Sequence, residues 1–264
     1  MHPMVQLALR TARSAMQNFQ RINERLDHAR EDNKVEQLLE DTARSVESFI
    51  IKQLNRAHPE HSFKGHFERP ITGEGEGKDI VWIVHPAHGW NNLSRSLPMN
   101  AVSISIEIKG KLEHTVVVNP ITGDEFYASR GRGAQLNGRR LRASGQRSLD
   151  AGKYSLSLPA IENRARNFPI YMALTQQIGQ VAESMHASGC TLLDLLNTVA
   201  GFTDASVVFG ADETEMKIAA LFAKESGSLI GSIDGNPNLP QDGNLLLANP
   251  KMYKVILQLV KIHL

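Results

Sequence analysis

The hydrophobic period of this chain changes twice, and that confines it to a mixed α/β architecture. From Met4 to about Phe19, Val5, Ala8, Leu9, Ala12, Ala15 and Met16 recur at helical spacing. From Val35 to Ala57 a second stripe of Leu38, Leu39, Val46, Phe49, Ile50 and Leu54 predicts another helix, ended by Pro59. Alternation then takes over. A-V-S-I-S-I-E-I at 101–108 has the period of two of a half-buried strand. H-T-V-V-V-N-P and E-F-Y-A-S-R flank the turn I-T-G-D and predict a hairpin. A further strand is expected at Lys153–Leu158. Helical spacing returns over about Arg166 to Glu183, and again through Met252, Val255, Ile256, Leu259 and Val260 after the cap Asn249-Pro250. Between these elements, Asn23–Asn33 reads as charged and exposed, and Thr72–Asp79 as a glycine-rich, flexible surface loop. That loop is not a phosphate loop, because no strand precedes it and it lacks the Gly-Lys-Ser/Thr ending.

At 264 residues the chain suits one large α/β unit, divided here into halves at 1–150 and 151–264. With 29 Lys and Arg against 28 Asp and Glu, net charge gives no strong signal for nucleic acid or membrane. Arg130, Arg132, Arg139, Arg140, Arg142 and Arg147 still form a local basic cluster, either a solvated hairpin region or a patch for an acidic partner. The lone Cys190 excludes an internal disulfide and suits a reducing compartment. No apolar run nears the roughly 20 residues of a membrane-spanning helix. The N-terminus carries no apolar signal core either. The expected location is the cytoplasm.

The stretch that carries chemistry is I-V-W-I-V-H-P-A-H-G-W-N-N-L, Ile80 to Leu93. Ile80–Val84 reads as a buried strand that breaks at Pro86 and turns at Gly89 into a short helix. Ligands sit at the carboxyl ends of such strands, and here that end offers His85, His88 and Trp90.

This stretch resembles the inositol monophosphatase family, whose members carry D-P-[LI]-D-G-T-T-N-F after a W-[VI]-[IV] strand. Trp82, Pro86, Gly89 and Asn92 match. The segment V-V-V-N-P-I-T-G-D-E-F-Y-A-S-R-G-R-G-A-Q-L-N-G is similar to the family's V-x-x-P-x-x-x-E-[LM]-[FY]-x-A-x-x-G-x-G-A-x-x-N-G. Residues 188–206, with Gly189, Leu193, Asp194, Leu195, Ala200, Gly201 and Asp204, match the family's G-S-A-A-L-D-L-A-Y-V-A-A-G-R-x-D-G, and 243–250 its G-[NP]-[IL]-[VL]-A-x-[NS]-P. The opening M-H-P-M-V-Q-L-A-L-R-T-A-R resembles the bacterial SuhB-type branch. The resemblance covers essentially the whole chain and implies the layered αβαβα sandwich of the family, with a homodimer as the default assembly.

It also implies a reaction, attack of a metal-activated water on a phosphate monoester at carboxylate-held Mg²⁺. The residues at the implied positions do not suit it. The four principal acid positions hold His66, His85, His88 and Glu215, and the backbone position between the paired acids is Ala87. An upstream aspartate aligns with Ala43, although Asp41 and Glu47 are near in sequence. Trp90 replaces a threonine hydroxyl with an indole. Imidazole is a poor ligand for a hard dication and brings no compensating charge. Mg²⁺-dependent hydrolysis is therefore expected to be lost and no cofactor is expected. Three readings of the histidines stand. They line the pocket as neutral rings, or form with Glu215 a zinc or manganese site, or join Gly89, Trp90 and Asn91 in a residual anion site. What the SuhB-type branch implies for a chain without the reaction is a binding role in transcription antitermination, with NusA or RNA polymerase as partner. Asp194 and Asp204 fall on family positions read as structural, Ser188 and Cys190 have no base placed beside them, and Lys217 reads as an exposed helix residue.

Overall fold

The structure, a computed structural model, describes residues 1–19 and 22–262. Two compact units divide the chain, Met1–Gly138 and Arg139–Leu264. The boundary falls before the division at 150 expected from the sequence. The reason is that residues 143–150 bond into the second unit. Asn249 donates to the Gln146 carbonyl at 2.9 Å, and the Ala143 amide donates to the Ser226 carbonyl.

In the first unit, α1 (Pro3–Met16) starts on Pro3 and on the His2 ring, which accepts from the Met4 amide. Helix α2 (Ile22–Glu31) corrects the expectation of an exposed stretch. Ile22, Leu26 and Ala29 are buried at a spacing of four and three, hidden in the sequence among seven polar neighbours. Helix α3 (Val35–Ala57) buries Leu39, Val46, Ile50 and Leu54. The sheet of this unit runs in the order β1 (Ser62–Lys64), β2 (Ile80–His88), β3 (Ala101–Ile108), β4 (Lys111–Val118), β5 (Glu125–Ser129), β6 (Gly133–Leu136). Its first pair is parallel and the rest antiparallel. Helices α1 and α3 pack on β2, β3 and β4, around Trp82, Ile104, Ile106 and Val116. Each such side chain contributes about 2 kcal/mol by leaving water.

Strand β3 is buried on both faces from Ala101 through Glu107 rather than on one. Its alternate serines are accommodated by hydrogen bonds, Ser103 to His88 and Ser105 to Thr115, each at 2.9 Å. The loop before β2 closes in a 3₁₀ turn at Gly75–Asp79. Gly73 is required there, because a Cβ would lie 2.1 Å from the Glu60 carbonyl oxygen. The short helix after β2 is α4 (Trp90–Leu93).

The second unit opens with β7 (Arg139–Arg140) and holds the strands β8 (Lys153–Leu156), β9 (Ser184–His186), β10 (Ala205–Val208), β11 (Leu229–Ser232) and β12 (Leu245–Ala248). Their order is β11-β12-β10-β8-β9, with β10, β8 and β9 parallel and β11 and β12 antiparallel to their neighbours. Helix α5 (Arg164–Gly179) connects β8 to β9, as a parallel pair requires. Helices α6 (Thr191–Val199), α7 (Glu213–Ser226) and α8 (Pro250–Lys261) complete it. Tyr154, Leu174, Val207, Leu246, Met252 and Ile256 form its core.

Candidate functional site

Strand β2 does not break at Pro86. It runs on to His88 because the pairing with β3 slips between His85, opposite Ser103, and His88, opposite Ala101. That bulge leaves room for a residue with no amide hydrogen, which is where a strand tolerates proline. It also decides the geometry of the site. In a regular strand residues three apart point to opposite faces. The extra residue restores them to one side, and the His85 and His88 rings stack at 3.9 Å and 20°. His88 is 2% exposed, its Nε2 bonded to the Ser103 hydroxyl at 2.9 Å. Gly89, at φ 68°, then swings the chain into α4.

The third imidazole arrives on a separate loop. Glu47 of α3, wholly buried, accepts the backbone N–H groups of His66, Phe67 and Glu68 at 2.7–2.8 Å. Gly65 permits the approach, since a Cβ there would lie 2.1 Å from the Glu47 carboxylate. Pinned in this way, His66 places its ring 4.9 Å from His85, and Phe67 meets His66 edge-on at 4.7 Å. The Arg44 guanidinium covers Phe67 at 4.5 Å. A continuous row of Arg44, Phe67, His66, His85 and His88 results.

The remaining positions resolve differently. Ala43 is fully buried and offers only a methyl group. Asp41 lines a groove with Arg25, Ala29 and Leu38 between α2 and α3, and Glu47 is engaged by its three amides, so neither stands in for the missing aspartate. Trp90 is partly buried against the hydrophobic core of its unit. Asn91 is exposed, while Asn92 is buried and donates to the Met99 carbonyl at 2.7 Å. In the second unit Glu215 is the third residue of α7 and forms a capping box. Its amide donates to the Asp212 carboxylate at 2.7 Å and its own carboxylate accepts from the Asp212 amide at 3.2 Å. Burial pushes the Glu215 carboxyl up to about 7. The D-x-x-E spacing of Asp212 and Glu215 is the signal in the sequence that announces this box. Asp194 accepts from the Ser188 amide at 3.2–3.3 Å and burial raises its carboxyl, Asp204 accepts from the Lys153 amide, and Lys217 pairs with Glu213 at 2.9 Å. Cys190 is buried and its thiol is pushed up to about 12 by that burial, which makes it inert.

Magnesium seeks oxygen ligands in near-octahedral array. At the implied positions the first unit offers three imidazoles and a methyl group. That donor set does not fit Mg²⁺.

A second grouping in the first unit, His58, Glu60 and His61, brings three ligand atoms within 4.8 Å of one another. It is a hydrogen-bonded column instead of a metal centre. Trp82 Nε1 can only donate, and it donates to His61 Nδ1 at 2.9 Å. The proton of neutral His61 therefore sits on Nε2, which faces Glu60 at 3.2 Å. A metal at Nε2 would need an imidazole whose other nitrogen keeps its proton.

The model of the inositol monophosphatase family matches residues 1–264. A solved SuhB structure from Bartonella henselae superposes with TM-score 0.82 at 24% identity, over 98% of this chain and 100% of that one. An inositol monophosphatase from Anabaena superposes at 0.79 with 18% identity, over 99% and 96%. The two mixed sheets with their helices are therefore the α/β sandwich fold of these structures, and the chain belongs to the inositol monophosphatase family. Its likeness is to the bacterial SuhB type. It is 37% identical to Nus factor SuhB of Pseudomonas aeruginosa, covering 100% of this chain and 98% of that protein. It is 29% identical to Nus factor SuhB of Escherichia coli, covering 97% and 95%.

Proposed function

We propose that this protein keeps the inositol monophosphatase framework without its Mg²⁺-dependent hydrolysis, and works as a binding factor in transcription antitermination. The row of His66, His85 and His88 carries this reading. Three carboxylate positions have become imidazoles in ring contact, so the charge that would offset a dication is missing. The name Nus factor, borne by relatives similar over the full chain, supports the second half. NusA or RNA polymerase is the partner proposed, with a homodimer in the cytoplasm as the working form. Arg139, Arg140, Arg142 and Arg147 of the second unit are exposed and offer a contact surface. Arg130 does not join them, being held by Glu113 at 3.0 Å.

Two measurements test the proposal. The purified protein should release no phosphate from inositol 1-phosphate with Mg²⁺, and immobilised NusA should retain it. Mg²⁺-dependent release that disappears in Glu215→Ala would sink the first half. Failure of both NusA and RNA polymerase to bind would sink the second. The alternative is a weak phosphomonoesterase using Zn²⁺ or Mn²⁺ at the imidazole row, favoured by the contact of three potential nitrogen ligands. Stoichiometric metal in the purified protein would select it.

A further inference from the structure

Helices α1 and α3 meet along a seam that the function proposed above does not use. From α1 come Leu7, Arg10, Thr11 and Ser14, and from α3 Phe49, Gln53, Arg56 and Ala57. Each set follows the i, i+3 or i+4, i+7 rule of one helix face. Together they line a cavity of about 490 Å³, within the range of small-molecule sites.

The chemistry of the lining is one-sided. It contains two guanidiniums, two hydroxyls and a carboxamide, and no carboxylate. Arg10 and Arg56 form no ion pair among the described residues, as is also true of the exposed Arg139, Arg140, Arg142 and Arg147, so neither is neutralised by an acid within the seam. The C-terminal turn of α3 suits Arg56 on dipole grounds. Arg10, in mid-helix, is exposed and reaches the cavity from the other helix.

Thr11 adds a hydroxyl to this lining. It is 5% exposed, it lines the cavity, and its hydroxyl makes no hydrogen bond to any described residue. The hydroxyls of Ser14 and Thr42, on the same two helices, each donate to the carbonyl four residues back. Leu7, Phe49 and Ala57 supply an apolar wall beside it.

We propose that this seam binds a small organic anion, a phosphate group attached to an apolar or aromatic body. Arg10 and Arg56 hold the anionic group, the Thr11 hydroxyl donates to it, and Phe49 and Leu7 take the body. The site shares no residue with the imidazole row.

Calorimetric titration of the whole protein tests this, with adenosine 5′-diphosphate as probe, inorganic pyrophosphate as the anionic group alone and adenosine as the body alone. Adenosine diphosphate should bind saturably, pyrophosphate more weakly, and adenosine not at all. Arg10→Met with Arg56→Met should weaken binding at least about tenfold, because charge-assisted bonds are the strong ones. Thr11→Val should weaken it about threefold or more while leaving the unliganded protein as heat-stable as before, since no internal bond is lost. His85→Ala should change nothing. No saturable heat with either phosphate would overturn the proposal. So would binding that survives the double arginine change, or that His85→Ala abolishes. Failure here leaves the phosphatase and NusA measurements untouched.

Discussion

A wholly buried carboxylate is costly unless its oxygens are filled. Glu47 is filled by three amides from one loop, and this fixes where His66 and Phe67 stand. Glu47→Ala leaves those amides to find water, which the exposed side of the loop partly allows. It should destabilise the protein by about 3 kcal/mol in urea unfolding, and Glu47→Gln by less. His114 shows the opposite case, a base kept neutral. Burial first, then the neighbouring His2 ring at 4.2 Å, lowers its pKa to about 4. The unfolded chain takes up this proton near the ordinary value of 6.5, and the folded chain resists until about 4. Stability attributable to His114 is thus whole at neutral pH and is lost as pH falls through that window. His114→Gln should remove it. Between about pH 7 and about pH 4.5 the wild type should lose about 1–2 kcal/mol more than the variant in urea midpoints.

At the scale of elements, the site depends on a strand that reads as shorter than it is. Proline and glycine in H-P-A-H-G are sound signals of an ending, and Gly89 is one. Pro86 is not, because a slip in pairing with β3 accommodates it, and such a slip belongs to two strands at once. The stacking of His85 on His88 follows from that slip and could not be read from either strand alone. Part of the order of elements was legible, since α3 ends where Pro59 lets it and Asn249-Pro250 begins α8 as its residue types demand. Helix α2 was not, because three buried residues among polar neighbours carry too little periodicity to stand out. Asn249 links two elements. Its Oδ1 caps α8 by accepting from Lys251 and Met252, and its Nδ2 holds the Gln146 carbonyl. Asn249→Ala should cost about 2 kcal/mol, roughly one for the cap and one for the orphaned carbonyl. Amide exchange should quicken at the start of α8 and over 143–147 before it does elsewhere in the second unit.

For the molecule as a whole, the proposed function requires a family framework that persists without its ligand set. The cores of both units are filled by apolar residues outside the imidazole row, Trp82 and Ile104 in one and Tyr154 and Leu246 in the other. If, as proposed, the metal site is lost, that loss should be visible as an absence of linkage. An ion held with a dissociation constant of about 0.1 mM and supplied at about 10 mM stabilises a protein by about 2.7 kcal/mol. For a chain of this length that raises the melting temperature by about 5–10 °C. Wild-type protein should shift by less than about 1 °C when Mg²⁺ is added or chelated, because imidazoles and Ala43 give the ion nothing to hold. A variant carrying Ala43→Asp, His66→Glu, His85→Asp and His88→Asp returns four carboxylates to the first unit. It should melt lower than wild type without metal, from unpaired charges crowded at the bulge, and recover several degrees with Mg²⁺. A wild-type protein that already gains those degrees would mean that the ion is gripped by groups other than the ones replaced, and that the imidazole row does not mark the end of the reaction.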